Sequence, residues 1–356
     1  MKILIDLTDF CNAKCPLCSR YKRANDLTPD DSVNRSFVTI EQMIKWFPTL
    51  KGIDQMYFQG SFGEPSLCKD ILKIARYCSG TKLLMSTNGG TNNPEFWSEL
   101  GSIFSAAGQG SYVIWSIDGL SDTLSHYRVG VSYDKVMQNA RAFIRAGGTA
   151  VWRMLVFKHN QHQVKKAKAL SKIIGFKNFA HTKVNNLYDV GGNGDGSYTY
   201  TYQGKEYTLE AADDPQYTSN LGAVHPESDI KCKYGHGTDN ITLRIDSMGV
   251  VHACCYHQSR LRFFYPDYYI NNDPKPAVFG SIENQCGGAG GQLQQLYWDT
   301  IIPLIEEQGG IQSISLRHRT LKEILSSPFY EQTLINSWRG RTVCREYCGI
   351  ERYKST

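Results

Sequence analysis

The sequence predicts an α/β fold in which an open, partial (β/α)6 barrel precedes a small unit built on a β-hairpin. Short apolar runs alternate with amphipathic stretches over residues 1–185, and residues 186–230 interrupt this alternation with Gly, Asp, Ser and Tyr. A period-two pattern then begins near residue 241. Strand–helix alternation is typical of a parallel sheet with right-handed crossovers. Six such units are too few for a closed eight-stranded barrel.

Six apolar runs have the length and composition of buried strands. They cover residues 2–7, 55–60, 82–87, 112–117, 150–157 and roughly 176–184. Apolar residues spaced three or four apart predict helices between them, at residues 66–79, 132–146 and 162–174. Because ligands bind at the carboxyl ends of the strands in such folds, we expect the site in the loops that follow the strands.

The C-terminal part is predicted to form a second, smaller unit. Apolar and polar residues alternate from 241 to 245 and again from 251, on either side of a turn signal at 246–249. This pattern predicts a β-hairpin, and helices are expected near 294–308 and 319–337. The expected units are the barrel, a linker or substrate-facing insertion, and the second unit, at residues 1–185, 186–230 and 231–356.

Composition and charge indicate an ordinary globular chain. With 41% hydrophobic and 21% charged residues among 356, the protein is expected to bury a real core. The net charge of +5 is mild and gives no indication of nucleic acid or membrane binding. The sequence has no run of about 18 apolar residues, and acidic residues interrupt its first segment where a signal peptide would lie. We therefore expect a cytoplasmic protein.

Cysteine is the residue type that points to chemistry. The chain has 11 cysteines, and several lie in tight groups: positions 11, 15 and 18, then 254 and 255, then 344 and 348. Without an export signal, clustered cysteines indicate metal ligands rather than disulfides.

The first cysteine group is Cys11-Asn-Ala-Lys-Cys15-Pro-Leu-Cys18, directly after the first expected strand. Its spacing allows one loop to surround an iron–sulfur cubane, and soft thiolates are the ligands that such clusters take. Three ligands leave one iron open for a cofactor or substrate, whereas an electron-carrying cluster usually has four cysteines. The alternative is a zinc site, which requires a fourth ligand from a His or Cys elsewhere.

Four short motifs, in order, resemble those of the radical S-adenosylmethionine (radical SAM) superfamily. The motifs that follow strands one to four are CxxxCxxC, then Gly60-Ser-Phe-Gly63-Glu64-Pro65, then Thr87-Asn88-Gly89, and then Ser116-Ile-Asp118-Gly119. The second is similar to the family's GGEP motif, with Phe62 where the first glycine usually stands. The resemblance implies a partial barrel of the radical SAM type that binds a 4Fe–4S cluster through Cys11, Cys15 and Cys18 and also binds S-adenosylmethionine.

The same resemblance implies roles for individual residues. Those that would contact the methionine amino group, the ribose and the adenine are, in that order, Gly63, Glu64 and Pro65, then Thr87 and Asn88, then Leu17. Those that would hold the cofactor carboxylate are Ser116 and Arg128. Asp118 would contact the substrate, support a cofactor-binding residue, or cap a turn. Turn chemistry at strand ends also explains several of these residue types, and Arg128 read alone is a surface charge.

The C-terminal cysteines resemble the twitch or SPASM-type auxiliary-cluster domain of the same superfamily. The resemblance covers roughly residues 231–350 and implies one auxiliary 4Fe–4S cluster, ligated by Cys232, Cys254, Cys344 and Cys348. Alternation along a strand turns Cys255 away from its neighbour, as expected of a small buried residue. Cys286 lies in a Gly-rich loop, where it is a spare ligand, a hydrogen donor or neither.

Together these features predict a radical SAM enzyme that reductively cleaves S-adenosylmethionine to a 5′-deoxyadenosyl radical and abstracts a substrate hydrogen. The expected substrate is a small molecule or a peptide, which is oxidised or otherwise modified with help from the auxiliary cluster. One alternative is a peptide maturase that forms crosslinks or epimers. The chain begins directly at strand one, without a leader-peptide-binding domain, and this weighs against that alternative. A non-catalytic iron–sulfur electron carrier or redox sensor is the alternative from another class.

Basic residues near the cysteine loop and in the C-terminal part predict docking of a flavodoxin or ferredoxin-type electron donor, or simply a solvated face. They are Arg20, Lys22, Arg23 and the basic residues within 317–319 and 339–341. The histidines show no paired spacing with an acidic partner, so no role is assigned to them.

Overall fold

The computed structural model describes residues 1–21, 27–33, 35–184, 197–217, 241–254, 258, 261–262, 264–276 and 301–333. All six predicted barrel strands are present within these ranges. They are β1 (Lys2–Asp6), β2 (Gln55–Gln59), β3 (Lys82–Thr87), β4 (Tyr112–Ser116), β5 (Ala150–Val156) and β6 (Asn178–Lys183). Neighbouring strands pair in parallel in chain order, with Ile3 opposite Met56 and Trp115 opposite Trp152. The predicted partial α/β barrel is therefore confirmed.

Helices connect the strands and cover the outer face of the sheet. They are α1 (Ile40–Trp46), α2 (Ile71–Tyr77), α3 (Pro94–Ala106), α4 (Leu124–Tyr127), α5 (Tyr133–Arg145) and α6 (Val164–Ile174). The spacing of apolar residues predicted α2, α5 and α6. It did not predict α3, although Asn93 caps that helix by accepting a hydrogen bond from the Phe96 N–H and Pro94 occupies its first turn.

Three aromatic side chains fill the space between the sheet and helices α3 and α5. Trp97, Trp115 and Phe143 are fully buried, and the ring centroids of Trp97 and Trp115 are 4.7 Å apart. Gly101 lets the two helices approach closely, because a Cβ there would lie 2.4 Å from the Phe143 carbonyl oxygen. This core holds β3 and β4 in place, and the loops at their carboxyl ends form part of the site.

The chain continues beyond the barrel with two hairpins. Strands β7 (Ser197–Tyr202) and β8 (Lys205–Glu210) pair with each other in antiparallel fashion, within the segment predicted as a linker or insertion. Strands β9 (Thr242–Ile245) and β10 (Val251–His252) form the predicted second hairpin. Strand β9 also pairs in parallel with β1, so this hairpin extends the barrel sheet to eight strands.

The described C-terminal part includes two short helices and an irregular turn. They are α7 (Pro266–Asn271), α8 (Leu321–Leu325) and a π-helical turn at Phe329–Thr333. Residues 301–306 are helical, in agreement with one of the predicted helices, and α8 falls within the other. Within the described ranges, no helix is both long and apolar enough to cross a membrane.

Candidate metal and cofactor site

The cysteine loop lies at the carboxyl end of β1, where the sequence places it. Backbone hydrogen bonds fold it tightly: the Cys18 N–H donates to the Cys15 carbonyl at 3.0 Å, and the Lys14 N–H donates to the Val129 carbonyl at 2.8 Å. The Tyr21 hydroxyl donates to the Ala13 carbonyl at 3.0 Å. Cys15 is buried, and Cys11 and Cys18 are half-buried. One short segment therefore presents three thiols at the end of the sheet where ligands bind.

The three thiols influence one another electrostatically. Burial, the charge of Glu64 and the neighbouring Cys15 raise the pKa of Cys11 to about 12. Burial raises the pKa of Cys15 to about 11, against the lowering effect of the nearby Arg128. Burial also raises the pKa of Cys18. Thiols in such a site carry their protons at neutral pH, and a bound metal centre supplies the positive charge that favours thiolate.

These donors fit an iron–sulfur cluster. Thiolates are soft ligands, and each cysteine of a cubane binds a different iron rather than one shared ion. Among the residues that the structure describes, no three His, Cys, Asp or Glu side chains are grouped as a single metal ion requires.

The loop after β2 packs directly on the cysteine loop. The Glu64 N–H donates to the Phe10 carbonyl at 2.7 Å. A Cβ on Gly63 would lie 2.1 Å from the Thr8 carbonyl oxygen, so only glycine fits there. The motif residues 63–65 are thus held beside Cys11 by backbone contacts, and their side chains are not needed for this approach.

The Glu64 carboxylate joins the loops after β2 and β3. It accepts hydrogen bonds from the Ser66 hydroxyl, the Thr87 hydroxyl and the Asn88 N–H, each at 2.7 Å. Burial raises its pKa, and these hydrogen bonds oppose that rise. The side chains of Glu64 and Thr87 are thus engaged with each other, which fixes the relative position of two predicted cofactor-binding segments.

Asn88 brings the loop after β3 to the cysteine loop. Its side-chain amide donates to Asn12 Oδ1 at 2.9 Å and lies 3.9 Å from the sulfur of Cys11. Its Oδ1 accepts from the Gly90 N–H at 2.8 Å. The structure therefore places Asn88 next to a predicted cluster ligand. Asn12, which the sequence analysis did not single out, orients it.

Arg128 and Asp118 connect the loop after β4 to the cysteine loop. Arg128 Nε donates to Asp118 Oδ2 at 2.6 Å, and Arg128 Nη1 donates to the sulfur of Cys15 at 3.4 Å. The other carboxylate oxygen of Asp118 accepts from the Leu155 N–H at 2.6 Å. Arg128 is thus more than a surface charge, because its side chain is only 18% exposed and lies beside a predicted ligand.

Ser116 has a second basic neighbour that the sequence analysis missed. In the β4–β5 register Ser116 lies opposite Arg153, whose side chain is half-buried in the middle of an otherwise apolar strand. An arginine within the segment Ala150–Val156 is the signal that could have identified it. The register gives backbone pairing with Ser116, and the Arg153 side chain lines a pocket with Tyr112, Thr149 and Lys177 towards the amino ends of β4, β5 and β6.

The predicted auxiliary-cluster ligands lie mostly outside the described residues. Of the four, Cys254 is described and is half-buried just after β10. The cysteines that fall outside the described ranges are Cys232, Cys255, Cys286, Cys344 and Cys348. Leu17 is half-buried and packs against the core, close to the third ligand of the first group. The auxiliary cluster and the contact between Leu17 and adenine stay predictions.

One histidine has an acidic partner that residue spacing did not reveal. His252 Nε2 lies 2.9 Å from Asp246 Oδ2, and both side chains are fully buried. The turn between β9 and β10 brings them together, six positions apart, and that turn geometry is not visible in residue spacing.

Part of the chain matches the sequence model of a known family. Residues 5–170 match the sequence model of the Radical SAM superfamily. A search of the curated proteins found no match. The solved structure of Streptococcus suis SuiB is similar, with a TM-score of 0.50 and 14% identity over 83% of this chain and 67% of that chain. So is anSMEcpe with bound AdoMet and Cp18Cys peptide, with a TM-score of 0.50 and 14% identity over 99% of this chain and 89% of that chain.

A SuiB structure bound to S-adenosylmethionine matches with a TM-score of 0.48 and 15% identity over 71% of this chain, and the match covers 60% of that chain. The chain thus spans less than two thirds of the length of that relative. At such identities the solved structures support the fold. The barrel of this chain, over residues 5–170, is therefore similar to a radical SAM domain.

Proposed function

We propose that this chain is a radical SAM enzyme that modifies a peptide or small-molecule substrate by hydrogen-atom abstraction. Cys11, Cys15 and Cys18 would hold a 4Fe–4S cluster with one open iron. When bound and reduced, the cluster and S-adenosylmethionine together supply a 5′-deoxyadenosyl radical. The observation that carries the proposal is the loop of three thiols, which is in contact with the motif loops after three neighbouring strands.

The chain's own residues would bind and orient the cofactor. The backbone of Gly63, Glu64 and Pro65 lies against the cysteine loop, where it can meet the methionine amino group. Ser116 and Arg128 would hold the carboxylate by a charge-assisted hydrogen bond.

Two further residues would contact the ribose, and Leu17 would contact the adenine. Thr87 and Asn88, fixed by the Glu64 carboxylate, would approach the ribose. The half-buried position of the thiols limits the access of water to the site.

One auxiliary 4Fe–4S cluster belongs to the proposal as well. Cys232, Cys254, Cys344 and Cys348 would ligate it, and it would accept an electron from the substrate or help to position it. A flavodoxin or ferredoxin-type protein would supply electrons to the first cluster. Arg20 is not part of an exposed docking face as predicted, because it is buried and donates to the carbonyls of Asp9 and Phe62. The described part of the chain contributes Cys254 to this argument, and the rest follows from the sequence resemblance.

A peptide substrate has one specific observation in its favour. The anSMEcpe structure whose match covers 99% of this chain contains a bound Cp18Cys peptide. We therefore place peptide modification beside small-molecule oxidation as a candidate reaction for this chain.

The test is anaerobic reconstitution followed by reduction with dithionite in the presence of S-adenosylmethionine. We expect about eight irons per chain and formation of 5′-deoxyadenosine, measured by chromatography. The variant in which Cys11, Cys15 and Cys18 are all changed to alanine should lose this product and about four irons. The matched control is Cys78→Ala, since Cys78 is fully buried in the core.

Three outcomes would contradict parts of the proposal. Product formation by the triple variant would show that the other cysteines hold the active cluster. A wild-type protein that binds iron but cleaves no S-adenosylmethionine would be an electron carrier or sensor. A fully active protein with about four irons would have no auxiliary cluster.

A further inference from the structure

A buried arginine of the C-terminal part is stacked against the cofactor-binding motif. The guanidinium carbon of Arg262 lies 4.6 Å from the ring centroid of Phe62 and 4.5 Å from that of Tyr269. Arg262 is 4% exposed. A planar cation between two aromatic rings is held by cation–π attraction, which is strongest where water is excluded.

Phe62 places this contact beside the motif that is proposed to bind the cofactor. It directly precedes Gly63 and Glu64, in the position where the similar GGEP motif has a glycine. A glycine has no ring to offer a cation. The contact therefore depends on the residue in which this chain departs from the motif that it resembles.

Arg262 also reaches the segment that leads into the cysteine loop. Its Nη1 donates to the Ser32 carbonyl at 2.8 Å, and its Nη2 lies 3.7 Å from Asp9 Oδ2. Asp9 precedes Cys11 by two positions, and its other carboxylate oxygen accepts from the N–H groups of Arg35 and Ser36. A single guanidinium thus touches both loops that form the proposed cofactor site.

Arg262 does not use all of its hydrogen-bond donors, so its contacts with the rings of Phe62 and Tyr269 contribute much to its position. Its Nε is buried and has no hydrogen-bond partner among the described residues. A guanidinium carries five N–H donors, and a buried cation normally satisfies them. The stacking between Phe62 and Tyr269 is therefore a main determinant of where this side chain lies.

Tyr269 is itself fixed to the second hairpin. Its hydroxyl donates to Asp246 Oδ2 at 2.7 Å, and the same oxygen lies 2.9 Å from His252 Nε2. Asp246 Oδ1 accepts from the N–H groups of the turn between β9 and β10. The strand after this turn leads to Cys254. A continuous set of contacts therefore joins the hairpin to the cofactor motif.

We propose that Arg262 is a positioning residue that, through its stacking on Phe62, holds the loop at residues 60–65 in the geometry that binds S-adenosylmethionine. This inference rests on the proposed function, because it requires that the loop bind that cofactor. With Arg262 in this role, the affinity for S-adenosylmethionine depends on the C-terminal part of the chain, although Arg262 itself does not bind the cofactor.

The test compares cofactor affinity with stability in the reconstituted full-length protein. Isothermal titration calorimetry should show that Arg262→Met weakens S-adenosylmethionine binding about tenfold, the loss of a desolvated cation–π contact, while iron content is unchanged. Arg262→Lys retains the charge but not the planar stack, so its affinity for S-adenosylmethionine should lie between those of the wild type and of Arg262→Met. The change that the cofactor causes in the electron paramagnetic resonance spectrum of the reduced cluster should shrink in the same order.

A double-mutant cycle identifies the route of the effect. In a Phe62→Leu background, Arg262→Met should cost less than about twofold in affinity, because the contact is already lost. The matched pair is Tyr269→Leu, which should weaken binding, and Tyr268→Leu, which should not. Tyr268 is a neighbour on the same helix whose hydroxyl contacts Ser315 instead.

Distinct results overturn the inference and the function beneath it. Unchanged affinity in Arg262→Met, additive losses in the cycle, or equal losses in the two tyrosine variants would reject the role of Arg262. Failure of the wild-type protein to bind or cleave S-adenosylmethionine would reject the proposed function itself. Should Arg262→Met not fold, Arg262→Lys and the tyrosine pair carry the same comparison.

Discussion

The guanidinium of Arg128 donates a hydrogen bond to the sulfur of Cys15 at 3.4 Å. The same side chain is held by Asp118, whose carboxylate lies 2.6 Å from its Nε. A proposed cluster ligand is therefore in contact with a positive charge whose position is fixed by a buried acid. Hydrogen bonds to ligand sulfurs and nearby charge tune the reduction potential of a cluster.

Replacing this arginine should make the first cluster harder to reduce. Arg128→Met removes both the charge and the hydrogen bond at Cys15, so the midpoint potential should fall by on the order of tens of millivolts. A redox titration followed by electron paramagnetic resonance measures the change. Arg76→Met, which removes an exposed arginine paired with Glu99, is the control and should leave the potential unchanged. An unaltered midpoint potential in Arg128→Met would show that this arginine does not influence the cluster.

The close approach of Gly63 to the cysteine loop predicts an asymmetry between two glycines. A Cβ on Gly63 would collide with the Thr8 carbonyl, whereas a Cβ on Gly80 meets nothing within 4 Å. Gly63→Ala should destabilise the protein by about 1–3 kcal/mol through overpacking and reduce 5′-deoxyadenosine formation. Gly80→Ala should be close to neutral in both measurements. Equal effects of the two variants, in denaturation and in product analysis, would contradict this account of the loop.

Arg128 offers a second test of the cofactor site. If it holds the cofactor carboxylate together with Ser116, Arg128→Met should weaken S-adenosylmethionine binding by about tenfold or more, since a charge-assisted hydrogen bond contributes about 1.5–3 kcal/mol. Iron content should stay constant. Titration calorimetry measures the affinity, and Arg145→Met on the exposed side of α5 is the control. An affinity equal to that of wild type would exclude Arg128 as the carboxylate ligand.

His159 predicts a loss of stability in acid. Burial, with His126 and His162 nearby, lowers its pKa from 6.5 to about 4, and its ring stacks on Phe157. The unfolded chain binds a proton at this residue between pH 6.5 and 4 and the folded chain does not, so folding stability falls as the pH drops through that window. His159→Phe retains an aromatic ring to stack on Phe157 and removes the imidazole that titrates.

The measurement is the difference in unfolding free energy between His159→Phe and wild type at pH 7 and at pH 5. The variant should gain about 1 kcal/mol relative to wild type at pH 5, after allowance for solvent screening. Comparison at two pH values removes any constant effect of packing. An equal difference in unfolding free energy at the two pH values would show that the pKa of His159 is the same in the folded and the unfolded chain.

Local pattern was enough to predict the barrel strands and the places where they end. Residues 82–87 and 150–156, for example, are apolar runs with strong strand composition, and both form strands. The positions of the motifs followed from this, because a loop after a parallel strand lies at a known edge of the sheet. The contacts of Asn88 and Arg128 with cysteine sulfurs agree with that placement.

Contacts between distant segments could not be predicted in the same way. The pattern at residues 241–245 indicates a strand but not its neighbour, and its pairing with β1 joins segments that are far apart in the sequence, with Lys2 opposite Thr242. The contact of Arg262 with Phe62 likewise joins residues that are distant in the sequence. The partner of His252 depends on a turn geometry, and Asn12 is an ordinary loop residue until Asn88 is placed beside it.

The pairing of β9 with β1 has a practical consequence for anyone who would isolate the barrel. Four register pairs, from Lys2 opposite Thr242 to Ile5 opposite Ile245, cover one side of the strand that leads into the cysteine loop. A fragment that stops at residue 185 would leave the N–H and C=O groups on that side without strand partners. Bare strand edges template intermolecular pairing, so such a fragment should aggregate where the longer chain does not.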